Sequence, residues 1–418
     1  MGHTREIQLN ASAQINFANI AALGNGVLQS LNEVREEEPV AWNESVNGWL
    51  VTRHADVMDG FLDKFPLSCV RMEARSAGTA EAAAMAERYP LMTASIPFWI
   101  VNADPPLHTR LRRLMTRAFS RKVVEDLRPM ARGIIAAVLD GIEGRPEIEF
   151  LEDVSRQITG RVILNIFGLP DTVLPRLKEW SVAFNVGFGG VQAPSIEVMD
   201  RVERCMAEML QVFRPAVAQR RLAPADDFLS LLVRASDGDD QLSEAELLGI
   251  CYLVIVAGHD TTMNTMTLGV AALSKNAGAR AQLLEAPERI LESVLEIMRY
   301  VAMSTAFTRI AKQDFEWHGK AIKGGDSIWL MPAAANRDPR VFADPEVLDL
   351  RRDNNDQMTV FGAGIHHCIG HLLAKMQLCE FFPEFFRRFP DAAILDEDLR
   401  FIPALTFRGL SGLPMRLR

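Results

Sequence analysis

The 418-residue chain is 48% hydrophobic and 24% charged, a balance that excludes long disorder and collagen-like repeats. Its net charge of −9 argues against nucleic acid as a partner. Five dispersed cysteines (Cys69, Cys205, Cys251, Cys368, Cys379) form no disulfide framework. Residues 1–14 are polar, lack the pattern of a secretory signal and are a candidate for disorder. The longest apolar stretch, Leu247 to Gly258, is shorter than the about 20 residues a membrane span needs. A cytoplasmic protein without a membrane partner is expected.

In chain order, residues 39–52 read as a hairpin, with Val40 and Trp42 on one strand, Trp49 and Val51 on the other, and an Asn-Gly turn between. An Ala-rich helix follows, begun by Thr79 and stopped by Pro90, and then an apolar loop of sequence IPFWIVN. Pro106 opens a mostly helical region that runs to about Ser274, since proline suits a first helical turn. Breaks near 144–146, 168–170, 187–194 and 222–227 divide it into successive helices. Further helices are predicted over 279–301 and 369–389, with strands in 307–331, irregular chain over 332–361, and short strands around 403–407 and 415–417. The expected fold is mainly α with a smaller β region, in one domain spanning 1–418.

The segment Phe361-Gly362-Ala363-Gly364-Ile365-His366-His367-Cys368-Ile369-Gly370 leads directly into an amphipathic helix. A cysteine at a helix start is favoured as thiolate by the helix dipole and the unpaired first-turn N–H groups. Gly362, Gly364 and Gly370 would let backbone approach a flat ligand, and Phe361 offers an aromatic wall. Three readings stand on these residues: a structural cysteine in a glycine turn, a zinc site built from His366, His367, Cys368 and His371, and a single axial thiolate on haem iron.

The segment resembles the haem-ligand signature of the cytochrome P-450 superfamily, soluble bacterial type: Phe-Gly-x-Gly-x-His-x-Cys-x-Gly is matched at every fixed position. The resemblance extends from about residue 30 to the end, with Ala335-Asn336-Arg337-Asp338-Pro339 as a further landmark. It implies haem b as cofactor, Cys368 as metal ligand and His366 as a haem-propionate partner. Phe361, Gly362, Gly370 and Ala257 would complete the cofactor's walls. Two departures are Lys375-Met376-Gln377, where the family has Arg-x-Glu, and Pro383, which should kink the following helix.

The apolar stretch 244–275 carries Ala257-Gly258-His259-Asp260-Thr261-Thr262. An acid and hydroxyls in mid-helix are poor helix material. They read either as polar surface and threonine bonded back to a carbonyl, or as an acid–alcohol pair facing a ligand. By resemblance Asp260 relays protons and Thr261 stabilises dioxygen, and these two are the candidate catalytic residues. Glu296 and Arg299 share a helical face, and the family adds a third member, Arg352, for a structural role. His108 and Arg112, also on one face, and Arg309 match the family's propionate-binding residues.

Residues 108–122 hold Arg110, Arg112, Arg113, Arg117, Arg121 and Lys122 without an acidic residue. The resemblance makes this block a docking surface for an acidic ferredoxin, itself served by a ferredoxin reductase. It also implies a monooxygenase that uses O2 to hydroxylate or epoxidise an apolar small molecule, with no fused flavin domain. A peroxide-driven oxygenase and a non-catalytic haem sensor of the same fold are the alternatives. The substrate pocket is expected to include Phe98, Trp99, Ile100, Phe184, Phe188, Val256, Met303, Ala306 and Leu405, with Gly187, Gly189 and Gly190 marking a mobile lid.

Overall fold

The computed structural model describes residues 11–70, 80–188, 194–225, 227–237 and 240–418. Helix Glu244–Lys275 is its axis. This segment is apolar on all sides, so it can be stable only when surrounded. Helices Arg156–Ile166, Leu174–Phe188, Ile196–Leu222, Ile290–Val301 and His371–Arg388 all pack on it. Ser243 caps its start by accepting the Glu246 N–H, while the Glu246 side chain accepts the Ser243 N–H. Within the helix, burial lapses at its start (Glu244 and Ala245), around Val256–Gly258 and Thr261, and in part over the last turn to Lys275.

The predicted hairpin forms, pairing Val40–Asn43 with Gly48–Val51 and placing Trp42 opposite Trp49. Asn47 takes the left-handed conformation that its turn requires. Strand Ser327–Leu330 adds parallel to Gly48–Val51, followed by Phe307–Ala311 and Leu67–Ser68, to give a five-stranded sheet. A three-stranded sheet joins Ala393–Ile394, Pro414–Arg416 and Glu147–Glu149. No helix among the described residues is long and apolar enough to cross a membrane.

Several local expectations are corrected. Residues 279–301 form two helices, Ala277–Glu285 and Ile290–Val301, because Pro287 opens a separate short turn between them. Pro90 begins helix Pro90–Ser95 after Ala80–Arg88 ends, as proline can at a first turn. Residues 403–407 contribute an isolated bridge, Ser304 to Phe407, in place of a strand. Ala11–Gln14, within the stretch read as a candidate for disorder, is helical; residues 1–10 and Thr79 lie outside the described residues. Helix His371–Arg388 continues through Pro383.

The site depends on a buried ion pair. Arg299 donates to both oxygens of Glu296, at 2.7 and 2.8 Å, and neither side chain meets solvent. Arg352 Nε donates to the same carboxylate at 3.1 Å. Arg299 also donates to the carbonyls of Asn336 (2.8 Å) and Pro345 (2.9 Å). The Asn336 side chain then accepts the Thr359 N–H at 2.7 Å, the Thr359 carbonyl accepts the Gly362 N–H at 3.0 Å, and the Phe361 carbonyl accepts the Cys368 N–H at 2.9 Å. One polar chain therefore runs from Glu296 to the cysteine loop.

Glu296→Ala leaves the Arg299 charge buried without its carboxylate, which costs about 3–5 kcal/mol. The variant is expected to unfold at markedly lower urea and to incorporate no haem. Normal haem content together with an unchanged urea midpoint would remove this role.

Candidate active site

The cysteine loop is held by its glycines. Gly362 and Gly364 sit at φ of +64° and +65°, a region that side chains resist. A Cβ on Gly364 would also fall 2.6 Å from the Phe61 carbonyl oxygen. The helix begins at His371, three residues beyond Cys368. Burial pushes the Cys368 thiol up, against the opposing effects of the Gly370 N–H, Arg112, Lys375 and the His371 N–H. The expected thiolate bias of a helix end is present but outweighed in the protein alone, so the charged form needs a cation at the sulfur.

Beside this loop, four basic side chains from three elements converge. His108 and Arg112 stand on helix Leu107–Thr116, Arg309 on strand Phe307–Ala311, and His366 in the loop. The His108 and His366 rings lie 4.1 Å apart between centroids. Burial, Arg309 and His108 depress His366 to about 3, and burial with Arg112 depresses His108. Both imidazoles are therefore neutral while the guanidiniums carry the charge. Neither His108 nitrogen has a hydrogen-bond partner among the described residues, an arrangement that calls for an acceptor from outside the chain.

Cys69 and Asp104 belong to this neighbourhood and carried no recognisable signal in the sequence. Cys69 Sγ is 3.2 Å from His366 Nε2, while Asp104 accepts from the Cys69 N–H at 2.9 Å and the Ser68 hydroxyl at 2.7 Å. Among the described residues, the potential metal-ligand group is Cys69, Asp104 and His366, without Cys368. His371 is instead turned onto the Cys368 carbonyl at 2.8 Å, so the zinc grouping read from the sequence does not assemble.

On helix Glu244–Lys275, Ala257 is exposed and Val256 and Thr261 are half-buried. Thr261 Oγ1 donates to the Ala257 carbonyl at 2.7 Å, the back-bonded arrangement that the sequence allowed. Asp260 points away from Ala257, into the seam with helix Leu174–Phe188. There its carboxyl accepts a hydrogen bond from Asn185. Burial raises it to about 6, against the lowering effects of Ser181, Arg156 and Asn185. Ser181 and Asn185 were missed, although two small polar residues four apart on an apolar helix were a usable signal.

The residues expected to line a pocket divide. Trp99 packs on Phe184 and Phe188 with centroids 5.7 and 5.6 Å away, and Phe184 lies 5.7 Å from Phe188. Phe98 and Ile100 flank this aromatic wall. Met303, Ala306 and Leu405 are buried in other apolar clusters and are not brought to it. Gly187 is enclosed within helix Leu174–Phe188, where a Cβ would lie 2.9 Å from Val202; Gly189 and Gly190 lie outside the described residues.

The basic block is not uniformly open. Arg110 pairs with Asp240 at 2.7 Å and with Glu246, Arg113 with Asp240 at 3.2 Å, and Lys122 with Asp126 at 2.6 Å. Arg117 and Arg121 are exposed.

A family model described as Cytochrome P450 matches residues 188–392. Cytochrome P450 CYP107DY1 of Priestia megaterium is 34% identical over 330 residues, covering 76% of this chain and 78% of the relative. Mycinamicin IV hydroxylase/epoxidase of Micromonospora griseorubida is 33% identical over 396 residues, covering 92% and 94%. The solved structure of Bacillus subtilis 168 bacillaene polyketide synthase cytochrome P450 PksS superposes with a TM-score of 0.84 at 28% identity, covering 95% of this chain and 98% of that one. With the cysteine loop and central helix arranged as above, these likenesses establish that the chain belongs to the cytochrome P450 family, the haem-holding, oxygen-incorporating oxidoreductases.

Proposed function

We propose that this chain is a haem b monooxygenase that inserts one oxygen atom of O2 into an apolar small molecule, taking electrons from a ferredoxin served by its reductase. The observation that carries the reading is the convergence of His108, Arg112, Arg309 and His366 beside Cys368, with both His108 nitrogens unpartnered. Such a group suits a flat dianionic cofactor anchored by its carboxylates. Cys368 would hold the iron, with Phe361, Gly362, the open backbone at Gly370 and Ala257 as the walls of the cofactor. When bound, the haem supplies the activation of dioxygen.

The chain's own residues supply the rest. Arg112 and Arg309 neutralise carboxylates, and the neutral imidazoles can each donate one hydrogen bond there. The backbone at Gly370 and His371 opposes the rise that burial imposes on the Cys368 thiol. Asp260, raised to about 6, holds or releases a proton near neutral pH, where a proton donor is most effective. Thr261 keeps its hydroxyl beside the exposed Ala257, to whose carbonyl it donates. The aromatic wall of Trp99, Phe184 and Phe188 excludes water and favours an apolar substrate. The name of the Bacillus relative supports a polyketide among apolar classes.

The carbon monoxide difference spectrum of the reduced protein tests the core of the proposal. A strongly red-shifted Soret band is expected, and Cys368→His should move it to the position of histidine-ligated haem; an unshifted wild-type band would end the thiolate reading. Asp260→Asn should lower substrate turnover about 10²-fold, the low end of general acid catalysis, and divert electrons to peroxide.

The same variant has a stability signature with a definite sign. The folded-state value of Asp260 lies above its unfolded one, so burial penalises the charged form. The penalty is absent below about pH 4, grows as pH rises, and is complete above about pH 6. Asp260→Asn should therefore melt above wild type at pH 7.5, by about 3 kcal/mol, and equal to it near pH 4. Melting curves across that range check this.

For the ferredoxin, Arg117 and Arg121 are better probes than Arg113, which is held by Asp240. Charge reversal of both should slow reduction by ferredoxin several-fold and flatten its dependence on salt while sparing the carbon monoxide spectrum. An unchanged rate and slope would exclude this face as the docking surface.

A further inference from the structure

His259, adjacent to the acid, is fully buried between helix Glu244–Lys275 and helix Arg156–Ile166. Its Nδ1 lies 2.9 Å from Thr159 Oγ1. The Thr159 hydroxyl already donates its hydrogen to the Ser155 carbonyl at 2.9 Å. Only lone pairs remain on that oxygen, so Nδ1 must carry the imidazole hydrogen and Nε2 is bare. Burial and Arg156 keep the ring neutral, with a value of about 3. The crossing is tight: a Cβ on Gly160 would lie 2.3 Å from Leu174 and 3.6 Å from His259.

Nε2 faces the carboxyl of Asp260. The separation of Nε2 from Oδ1 is 3.9 Å, and neither atom has a hydrogen-bond partner among the described residues. The other oxygen, Oδ2, is taken by Asn185. Side chains of consecutive helical residues ordinarily diverge; here their polar ends stay 3.9 Å apart. Two unpartnered polar atoms in an interior call for an explanation. A bare imidazole nitrogen and a protonated carboxyl oxygen are complementary acceptor and donor, and 3.9 Å is closed by a small side-chain rotation or one bridging water. The facing charged group on the neighbouring helix is Arg156, itself bonded to Glu152 at 3.1 Å; Ser181 and Asn185 on the other are neutral.

We propose that His259 is a positioning residue for Asp260, accepting the carboxyl's O–H through Nε2 and so fixing which oxygen carries the proton. The proton stays on the carboxyl, Nδ1 keeps its hydrogen, and no charge is created. This rests on Asp260 being the proton donor and adds the group that orients it. With Oδ1 tied to His259 and Oδ2 to Asn185, the carboxyl is held between two helices until one bond is given up for delivery.

The test uses the haem-loaded protein and two side chains that each keep half of the imidazole. Asparagine retains the hydrogen bond from the Nδ1 position to Thr159, whereas glutamine places a polar group near Nε2. The readouts are the infrared carbonyl band of the Asp260 acid, identified by its loss in Asp260→Asn and read at about pH 5, where the carboxyl is protonated, and the ratio of product to peroxide. His259→Asn should shift the band and lower that ratio about fivefold, and His259→Gln should restore most of both.

A band and ratio unchanged in His259→Asn, or His259→Gln worse than His259→Asn, would overturn the inference and leave His259 as core packing. If His259→Asn does not take up haem, Thr159→Val removes the acceptor that sets the tautomer and should shift the band in the same way; an unchanged band there is equally fatal. If Asp260→Asn leaves turnover and peroxide unaltered, Asp260 is not the proton donor. The carbonyl band then decides the His259 contact by itself.

Discussion

Burying the Glu296–Arg299 pair removes two full charges from water, and that cost is recovered only while every remaining hydrogen-bonding position is filled. Arg352 and the carbonyls of Asn336 and Pro345 fill them. These residues come from the irregular chain between 332 and 361, which contains little regular backbone bonding of its own. The pair thus sets the path of this segment, and through Asn336, Thr359 and Phe361 it sets the position of Cys368. The rest of the proposed site is arranged about that sulfur.

Around it, burial and basic neighbours act in opposite directions on different groups. They depress the imidazoles of His108 and His366, so these serve as neutral hydrogen-bonding groups. Burial raises the Cys368 thiol, so the charged sulfur is stable only with a cation present. It also raises Asp260, keeping a proton available near neutrality at a cost in stability. Titratable groups displaced in this way concentrate where chemistry is done, and the cost at Asp260 is of the kind that functional sites retain.

How much could be read beforehand follows from the range of each interaction. The cysteine loop was legible because most of its constraints are local: two left-handed glycines and the Phe361 carbonyl that accepts the Cys368 N–H lie within ten residues, and the close approach of Gly364 to Phe61 is the long-range exception. The hairpin at 40–51 and the central helix were legible for the same reason, through a turn residue and an unbroken apolar run. The extent of helix 279–301 was misread because the interruption at Pro287 is short and the apolar pattern resumes at once. The basic block over 108–122 looked uniform, yet Asp240 and Glu246, distant in the chain, neutralise part of it.

The sequence by itself determined the family, the cysteine loop with its glycines, and the acid–alcohol pair in an apolar helix, because each depends on residue types at fixed short spacing. Only the tertiary structure decided which atoms meet. It joined His108 to His366, Cys69 to His366 and Arg299 to Asn336, and it turned Asp260 toward Asn185 and His259. Those contacts bring together residues as much as about 300 positions apart, and they are selected by the burial of whole helix faces. No local pattern encodes such a choice, since one polar residue satisfies a helix equally well whichever neighbour it finally faces.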